Sequence, residues 1–264
     1  MPILKTPAVI LRRVNHSETS LICTFYTREY GRLSAIAKGA RRQKSQFAGI
    51  LDLMSYLDIV VYTKETREVQ TLSSAEYIRP FLNIRKEMER TGLGLSMVET
   101  IRQAIIGEEP NPQVFDMFIA CLETINDDPG TDIEILWWFH IHLAILLGFE
   151  PDFKHCFECG KSLAHGYFTS DTGQIHCQNC IIQQPGMIKL NNLEIRLLGY
   201  LTDTFLEDLE SQAIHRTLRG TEGKDEPREQ VSPDIITNTI VQYLRYHVEG
   251  ITTLQSLRFF TTLK

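Results

Sequence analysis

The sequence predicts an α+β, multidomain protein in which a five-stranded β-barrel precedes an α-helical domain with an inserted four-cysteine subdomain. Three observations support this prediction. Short segments typical of β-strands fill residues 1–78, apolar residues at helical spacing follow from residue 79 onward, and two close cysteine pairs interrupt the helical part. With 264 residues, 43% of them apolar, the chain is long enough for one large domain or two ordinary ones.

The barrel is predicted from five short segments rich in β-branched and aromatic residues. They cover residues 8–11, 20–26, 32–38, 57–62 and 69–78. In the third segment Leu33, Ala35 and Ala37 recur at every second position, as expected for a strand with one buried face. Closure removes exposed sheet edges, so a closed barrel is expected, and the OB-fold is the leading interpretation for residues 1–78.

Apolar residues at helical spacing predict five helices after the barrel. They cover residues 82–106, 112–125, 132–147, 191–209 and 232–248. The third is apolar nearly all round, with Trp137, Trp138 and Phe139 in succession, so we expect it at the centre of the helical core. Residues 79–264 form the predicted α-helical domain, and the polar, charged segment 215–233 is predicted to be a mobile loop.

Charge is distributed unevenly along the chain. Residues 1–80 contain 12 Lys and Arg against 7 Asp and Glu, a net charge of +5, whereas residues 81–264 contain 15 against 26, a net charge of −11. One interpretation is a basic binding face mounted on an acidic body. Two differently charged solvated surfaces without any partner are the alternative.

The composition favours an intracellular, cytoplasmic protein with no membrane association. The N-terminal residues lack an apolar segment of signal-peptide length, and the longest apolar run, 135–149, is too short to span a bilayer. Four of the six cysteines form two close pairs rather than a dispersed disulfide framework. Cys23 and Cys121 lie in apolar stretches and are interpreted as small buried hydrophobic residues.

The two cysteine pairs predict a structural zinc site within a subdomain at residues 153–188. Seventeen residues separate the pairs, and the predicted ligands are Cys156, Cys159, Cys177 and Cys180. The short spacing within a pair allows one tight knuckle to present both sulfur atoms to the same ion. The intervening segment, with a turn at 171–173, is predicted to fold back as a hairpin. Four thiolates leave no open position for water, so a structural ion is expected.

Other interpretations of these cysteines stay open, namely two disulfides, a redox pair, or a substitute ligand from His155 or His176. An enzyme is not expected. His16-Ser17-Glu18 matches only half of the nucleobase deaminase motif, and no proline directly precedes either cysteine pair. The sequence also lacks the motifs of zincin proteases, P-loop enzymes and serine hydrolases, so we predict no catalytic residues.

A basic segment on the barrel is predicted to bind nucleic acid. Residues 1–44 contain nine Lys and Arg against two Asp and Glu. Such cations suit a groove that follows a phosphate backbone, and the candidate contacts are Arg12, Arg13, Arg32, Lys38, Arg41, Arg42 and Lys44, with Arg28 as a further lining residue. Phe25, Tyr26, Tyr30 and Phe47 are candidates for stacking on bases. The alternative is a solvated loop without a ligand, with Phe25 and Phe47 in the core.

Short stretches spread over essentially the whole chain show a family resemblance. They are ET at 18–19, REYGRL at 28–33 and AKGARR at 37–42 with Ser45; LGF at 147–149 and Pro151 before CFECG at 156–160; and LRYH at 244–247 with LQSLRF at 254–259. In this order they are similar to the RecO family of bacterial recombination and repair proteins. The charged segment 219–231 departs from the family pattern and resembles a local insertion.

The resemblance implies an OB domain, an α-helical domain with a zinc site, and no catalysis of bond chemistry. It also implies a mediator of gap and double-strand-break repair that binds single- and double-stranded DNA and anneals strands coated by single-strand-binding protein. With RecR, such proteins help to load the RecA recombinase, in the bacterial cytoplasm and in association with the nucleoid. Carried over by position, Lys38, Arg41 and Arg42 become DNA-contact candidates and the four cysteines metal ligands.

Two other functions stay open. One is a zinc-stabilised adaptor whose barrel binds only protein, and the other is an RNA-binding OB protein. The salt dependence of binding separates the first from a DNA-binding protein, because each phosphate contact releases counterions. Competition between DNA and RNA of matched sequence decides the second, since the 2′-hydroxyl is the main difference a protein can read.

Overall fold

The structure is a computed structural model that describes residues 2–128, 133–182, 185–209 and 230–258. The chain divides into two compact units, Met1–Pro129 together with Thr252–Lys264, and Gly130–Ile251. The start of the third predicted helix, at residue 132, lies outside the described residues. So do residues 215–229 of the predicted mobile loop and most of the segment 219–231.

The first unit is built on a closed five-stranded barrel, which confirms the predicted fold class. Its strands are β1 (Ile3–His16), β2 (Ser20–Thr27), β3 (Gly31–Ala37), β4 (Tyr56–Tyr62) and β5 (Gln70–Arg79). They are hydrogen-bonded in the order β1-β2-β3-β5-β4, and β4 pairs with β1 to close the barrel. β1 extends well beyond the predicted 8–11, because its exposed second half is largely polar and shows no apolar pattern.

Inward-facing side chains of every strand fill the barrel, with Ile10, Phe25 and Ile59 fully buried. The long connection between β3 and β4 adds Phe47 and Leu51 to the same core. Because these two side chains enter the barrel, the second half of this connection closes one end of it. The first half, which holds the basic run, stays on the surface.

Two helices of the same unit, α1 (Met88–Ala104) and α2 (Pro112–Asp127), pack against the outside of the barrel. The ring centroids of Tyr26 and Phe115 are 5.5 Å apart, and the Tyr26 hydroxyl donates a hydrogen bond to the carbonyl oxygen of Asn111 (3.1 Å). α1 begins later than the predicted 82–106. A 3₁₀ turn over Ile84–Lys86 comes first, and the extended backbone of Glu87 separates the two elements.

The second unit contains α3 (Glu134–Leu146), β6 (Gly166–Thr169), β7 (Gln174–His176), β8 (Ile188–Leu190), α4 (Asn192–Asp203) and α5 (Pro233–His247). α3 is central, as predicted: Trp137, Trp138 and Phe139 are all buried. Trp137 Nε1 donates to the Thr237 hydroxyl of α5 at 2.8 Å. None of the described helices combines the length and hydropathy needed to cross a bilayer.

Candidate nucleic-acid surface and metal centre

The four paired cysteines come together in the second unit. Their Sγ atoms all lie within 4.8 Å of one another, and those of Cys159 and Cys177 are 3.9 Å apart. Cys156 is buried, Cys159 is exposed, and all four are free thiols. Four sulfur donors at this separation can hold one metal ion.

The local fold explains how the pairs meet. In the first knuckle, Gly160 has a φ of 67° and donates its N–H to the Cys156 carbonyl oxygen at 2.8 Å. β6 and β7 then form the predicted hairpin, with Tyr167 opposite His176. Its turn closes with the Gly173 N–H on the Thr169 carbonyl oxygen (2.9 Å), where Gly173 has a φ of 64°. Because β7 ends at His176, the second pair starts beside the first.

The pKa values of these thiols indicate that they do not all ionise without a bound cation. Burial by itself raises the pKa of Cys156, but N–H groups of Cys177, Cys159 and Glu158 donate to its sulfur and lower the pKa to about 6. The Cys180 thiol shows the reverse, since hydrogen bonds with Cys177 and Cys159 raise its pKa to about 12. Four thiolates at this distance repel one another, so a bound cation is what allows all four to ionise.

Neither neighbouring histidine belongs to this group. The metal-capable set among the described residues consists of the four cysteines alone. His155 is instead paired with Asp152, whose carboxylate oxygen lies 2.9 Å from His155 Nδ1. The other two cysteines, Cys23 and Cys121, are fully buried as expected, and burial raises the pKa of the Cys23 thiol to about 11.

The basic run lies in the first unit, on the connection that follows β3. Lys38, Arg41, Arg42 and Lys44 are all exposed there. Arg13, from the second half of β1, reaches the same end of the barrel, because it lines one cleft together with Arg41. Five of the seven predicted cations are therefore close to one another.

This basic loop, residues 38–49, is fixed at both of its ends. The Arg41 N–H donates to the Thr19 carbonyl oxygen at 2.9 Å, which ties the loop to the β1–β2 turn. Further along, Gln46 Nε2 donates to the Ser73 carbonyl oxygen (2.8 Å) and the Tyr77 hydroxyl to the Gly49 carbonyl oxygen (2.6 Å). The cations are thus presented on an ordered scaffold.

The structure does not bring Arg12 and Arg32 into this loop. Arg12 is exposed on β1, opposite Thr24 of β2. Arg32 lies at the opposite end of β3 from Lys38 and is half-buried, with Nη1 donating to the Arg102 and Ile105 carbonyl oxygens at 3.4 Å each. Burial, followed by the charges of Arg102 and Arg12, lowers the pKa of its guanidinium. Arg28 is engaged by Asp116 of α2 at 2.8 Å.

Three of the four aromatic stacking candidates are unsuitable. Phe25, Tyr26 and Phe47 are buried, because two of them fill the barrel core and Tyr26 packs on α2. Tyr30 alone of the four keeps an exposed ring. Any stacking on a base is therefore limited to Tyr30 or to side chains outside this set.

Asp52 is a neighbour of the basic loop that the sequence did not single out. Its carboxylate accepts a hydrogen bond from Arg13, whose Nη1 also donates to the Leu51 carbonyl oxygen at 3.1 Å. Arg85 supports the same corner by donating to the Leu53 carbonyl oxygen at 2.7 Å. The one available signal was that Asp52 is the first carboxylate after the basic run, and its 39-residue separation from Arg13 concealed the pairing.

A closed OB barrel with an ordered cationic loop, followed by a helical unit with a four-thiol centre, defines a class of small multidomain OB proteins. Comparison with known sequences identifies the family within this class. The family described as Recombination protein O N terminal matches residues 1–81, and that described as Recombination protein O C terminal matches residues 85–256. The chain belongs to the RecO family of DNA repair proteins.

Individual relatives agree with this assignment. The chain is 35% identical over 169 residues to the DNA repair protein RecO of Chloroherpeton thalassium, covering 64% of this chain and 65% of that one. It is 35% identical over 197 residues to the same-named protein of Chlorobium limicola, covering 75% and 74%. The protein of Acetivibrio thermocellus is 25% identical over 225 residues, covering 85% and 89%.

Proposed function

We propose that the chain is a non-enzymatic mediator of DNA repair and homologous recombination that binds single- and double-stranded DNA through the basic loop. It anneals complementary strands coated by single-strand-binding protein and, with RecR, helps to load the RecA recombinase. Membership of the RecO family supports this role. We expect the protein to act in the bacterial cytoplasm, in association with the nucleoid. Zinc is the proposed occupant of the four-thiol centre, because four thiolates suit it and leave no position for catalysis.

The observation that carries the DNA-binding part is the ordered presentation of the loop cations. Lys38, Arg41, Arg42 and Lys44 are exposed, and none of them has a carboxylate within 4 Å among the described residues. By contrast, Arg28 and Arg79 are ion-paired. Cations without a protein counter-ion attract phosphates without first losing a partner, and a fixed scaffold limits the entropy lost on binding.

The first test is the salt dependence of binding to fluorescent single-stranded DNA. Each phosphate contact contributes about −0.7 to the slope of log affinity against log salt, so roughly three to six contacts give a slope of about −2 to −4. Charge reversal of Arg41→Glu together with Arg42→Glu is expected to flatten the slope by about 1.4 or more, since two contacts are lost. The readout is fluorescence anisotropy at several salt concentrations.

The matched control reverses two cations on another loop of the same barrel, Lys64→Glu with Arg67→Glu. These residues lie between β4 and β5 and are exposed. Their replacement changes net charge equally and is expected to leave the slope within about 0.5 of the parent value. Equal slopes for the parent and the Arg41/Arg42 variant would show that the loop does not contact DNA. Absence of binding at low salt would instead favour the protein-binding adaptor.

Annealing and partner function need separate measurements. A complementary strand coated by single-strand-binding protein is added to the labelled strand. The two strands are expected to anneal faster with the protein than without it, and the Arg41/Arg42 variant is expected to accelerate annealing less than the parent. Co-purification with RecR tests the partner, and competition with RNA of matched sequence tests the RNA-binding alternative. The boundary between residues 78 and 79 and the subdomain at 153–188 stay proposals, which limited proteolysis of the full chain tests.

A further inference from the structure

Beside the basic loop, the barrel end contains a cleft of about 420 Å³. Its volume falls in the range of small-ligand pockets, roughly 300–1,000 Å³. One wall is β1, the other is the basic loop, and the main lining residues are Arg13, Asn15, Arg41, Phe47, Leu51 and Asp52. We propose that this cleft binds a single unstacked guanine base of DNA that lies across the loop. The proposal rests on the proposed function and names a base preference within it.

The lining of the cleft is mainly polar, with three large apolar side chains. Leu21, Phe47 and Leu51 line it, and the last two also belong to the barrel core, which makes this part of the cleft rigid. A base taken out of the stack loses contacts with its neighbours, and the small apolar lining restores only a minor part of that burial, so polar contacts must hold the base. The cleft opens beside Arg41, so a strand whose phosphates follow the loop can turn one base inward.

The polar groups define the hydrogen bonds that the base must make. Asp52 offers carboxylate oxygens, of which one accepts from Arg13. For the other oxygen, the nearest cation of the described residues is Arg85 Nη1 at 4.0 Å, too far for a hydrogen bond. Within the same described part of the chain, the exposed side-chain amide of Asn15 has no hydrogen-bond partner. The cleft therefore offers unused acceptors on Asp52 and Asn15 and an unused donor on Asn15.

Guanine complements this set best. Its Watson–Crick edge carries two adjacent donors, N1–H and N2–H₂, and one acceptor, O6. The donors match the Asp52 carboxylate and the Asn15 amide oxygen, and O6 matches the Asn15 amide N–H. Thymine has a single donor between two acceptors, so it would leave the carboxylate facing a carbonyl oxygen. The cleft is therefore expected to bind guanine more tightly than thymine.

The test compares oligonucleotides of about eight nucleotides, within the range of site sizes for OB folds. One is all thymidine, one carries a single central dG, and one carries inosine in place of dG, which lacks the N2 amino group. The wild-type protein is expected to bind the dG oligomer about fivefold more tightly than the thymidine oligomer. Inosine is expected to lose most of that preference, because one of the two donors is missing.

Two variants locate the preference. Asp52→Asn removes the carboxylate charge at unchanged size and is expected to abolish the dG preference, while affinity for the thymidine oligomer rises because Arg13 loses its counter-ion. Asp58→Asn is the matched control, since Asp58 is also ion-paired, with side-chain exposure of 33% against 35% for Asp52, and does not line the cleft. If Asp52→Asn fails to fold, Asn15→Ala on exposed β1 takes its place, with the same expected loss.

The outcomes separate this site from the wider function. Equal affinity for all three oligonucleotides with salt-sensitive binding overturns the guanine site and leaves the DNA-binding role. Equal tightening of all three by Asp52→Asn also overturns it, because Asp52 then acts only as a competing counter-ion of Arg13. No binding of any oligonucleotide at low salt overturns both proposals.

Discussion

His140 in α3 is almost fully buried, and this burial lowers the pKa of its imidazole to about 3. The ordinary pKa of about 6.5 applies in the unfolded chain. Between these values the unfolded state binds a proton that the folded state excludes, so folding is favoured above pH 6.5 and loses stability as pH falls toward 3. The expected slope is about 1.4 kcal/mol per pH unit.

This residue-scale effect is testable by substitution. His140→Gln is expected to reduce the loss of unfolding free energy between pH 6 and pH 4 by up to about 1.4 kcal/mol per pH unit, because the replacement does not titrate. Urea unfolding followed by the fluorescence of Trp137 and Trp138, which lie on the same helix, gives the measurement. The control is His16→Gln on exposed β1, which should keep the parent slope. An unchanged slope in His140→Gln would contradict the assignment.

At the scale of elements, α1 and α2 are joined by a buried arginine. Arg90 of α1 donates through Nη1 to the Ile125 and Asn126 carbonyl oxygens, at 3.0 and 3.4 Å. These carbonyls belong to the last turn of α2, where helical partners are missing. Glu87, largely exposed, balances the charge at 2.9 Å. Arg90, in the first turn of α1, therefore supplies hydrogen-bond donors to the C-terminal carbonyl oxygens of α2.

Arg90→Met is expected to lower the free energy of unfolding by about 1–3 kcal/mol, because the α2 carbonyls lose their donor inside the protein. Glu87→Gln leaves these hydrogen bonds in place and weakens only a pair that is open to solvent, so the expected loss is below about 1 kcal/mol. Urea denaturation followed by circular dichroism measures both. Equal losses would mean that the ion pair, rather than the helix end, matters.

For the whole molecule, the four-thiol centre and the basic loop belong to different compact units. Removal of the proposed zinc ion by a chelator under reducing conditions is therefore expected to destabilise Gly130–Ile251 by at least about 2 kcal/mol, a part of the roughly 10–16 kcal/mol that zinc supplies to isolated zinc peptides. The salt slope of DNA binding is expected to stay unchanged. Tryptophan fluorescence and anisotropy read the two effects separately.

Zinc content gives the accompanying control. Cys159→Ser is expected to lower bound zinc from about one ion per chain, because one of four ligands is lost. Cys23→Ala removes a thiol that lies in the barrel core and should retain the ion. Full zinc content in Cys159→Ser, or zinc loss that abolishes DNA binding by the folded barrel, would contradict this separation.

The sequence by itself determined the barrel, the central position of α3, the four thiols and the family. These follow from local patterns, since strand and helix periodicities and the spacing within each cysteine pair are fixed over a few residues. It also located the basic run at Lys38, Arg41 and Arg42, because charge density is visible along the chain.

Only the tertiary structure decided which of those cations share a surface. Arg12 lies on β1 opposite Thr24 of β2, and Arg32 lies at the end of β3 that is far from the loop. The rings of Phe25 and Phe47 point into the barrel, which the alternation of apolar and polar residues in the sequence did not establish. The Arg13–Asp52 pair, the cleft beside it and the Arg90 link between α1 and α2 join residues far apart in the chain. Such contacts depend on how the elements pack, and no local pattern encodes packing.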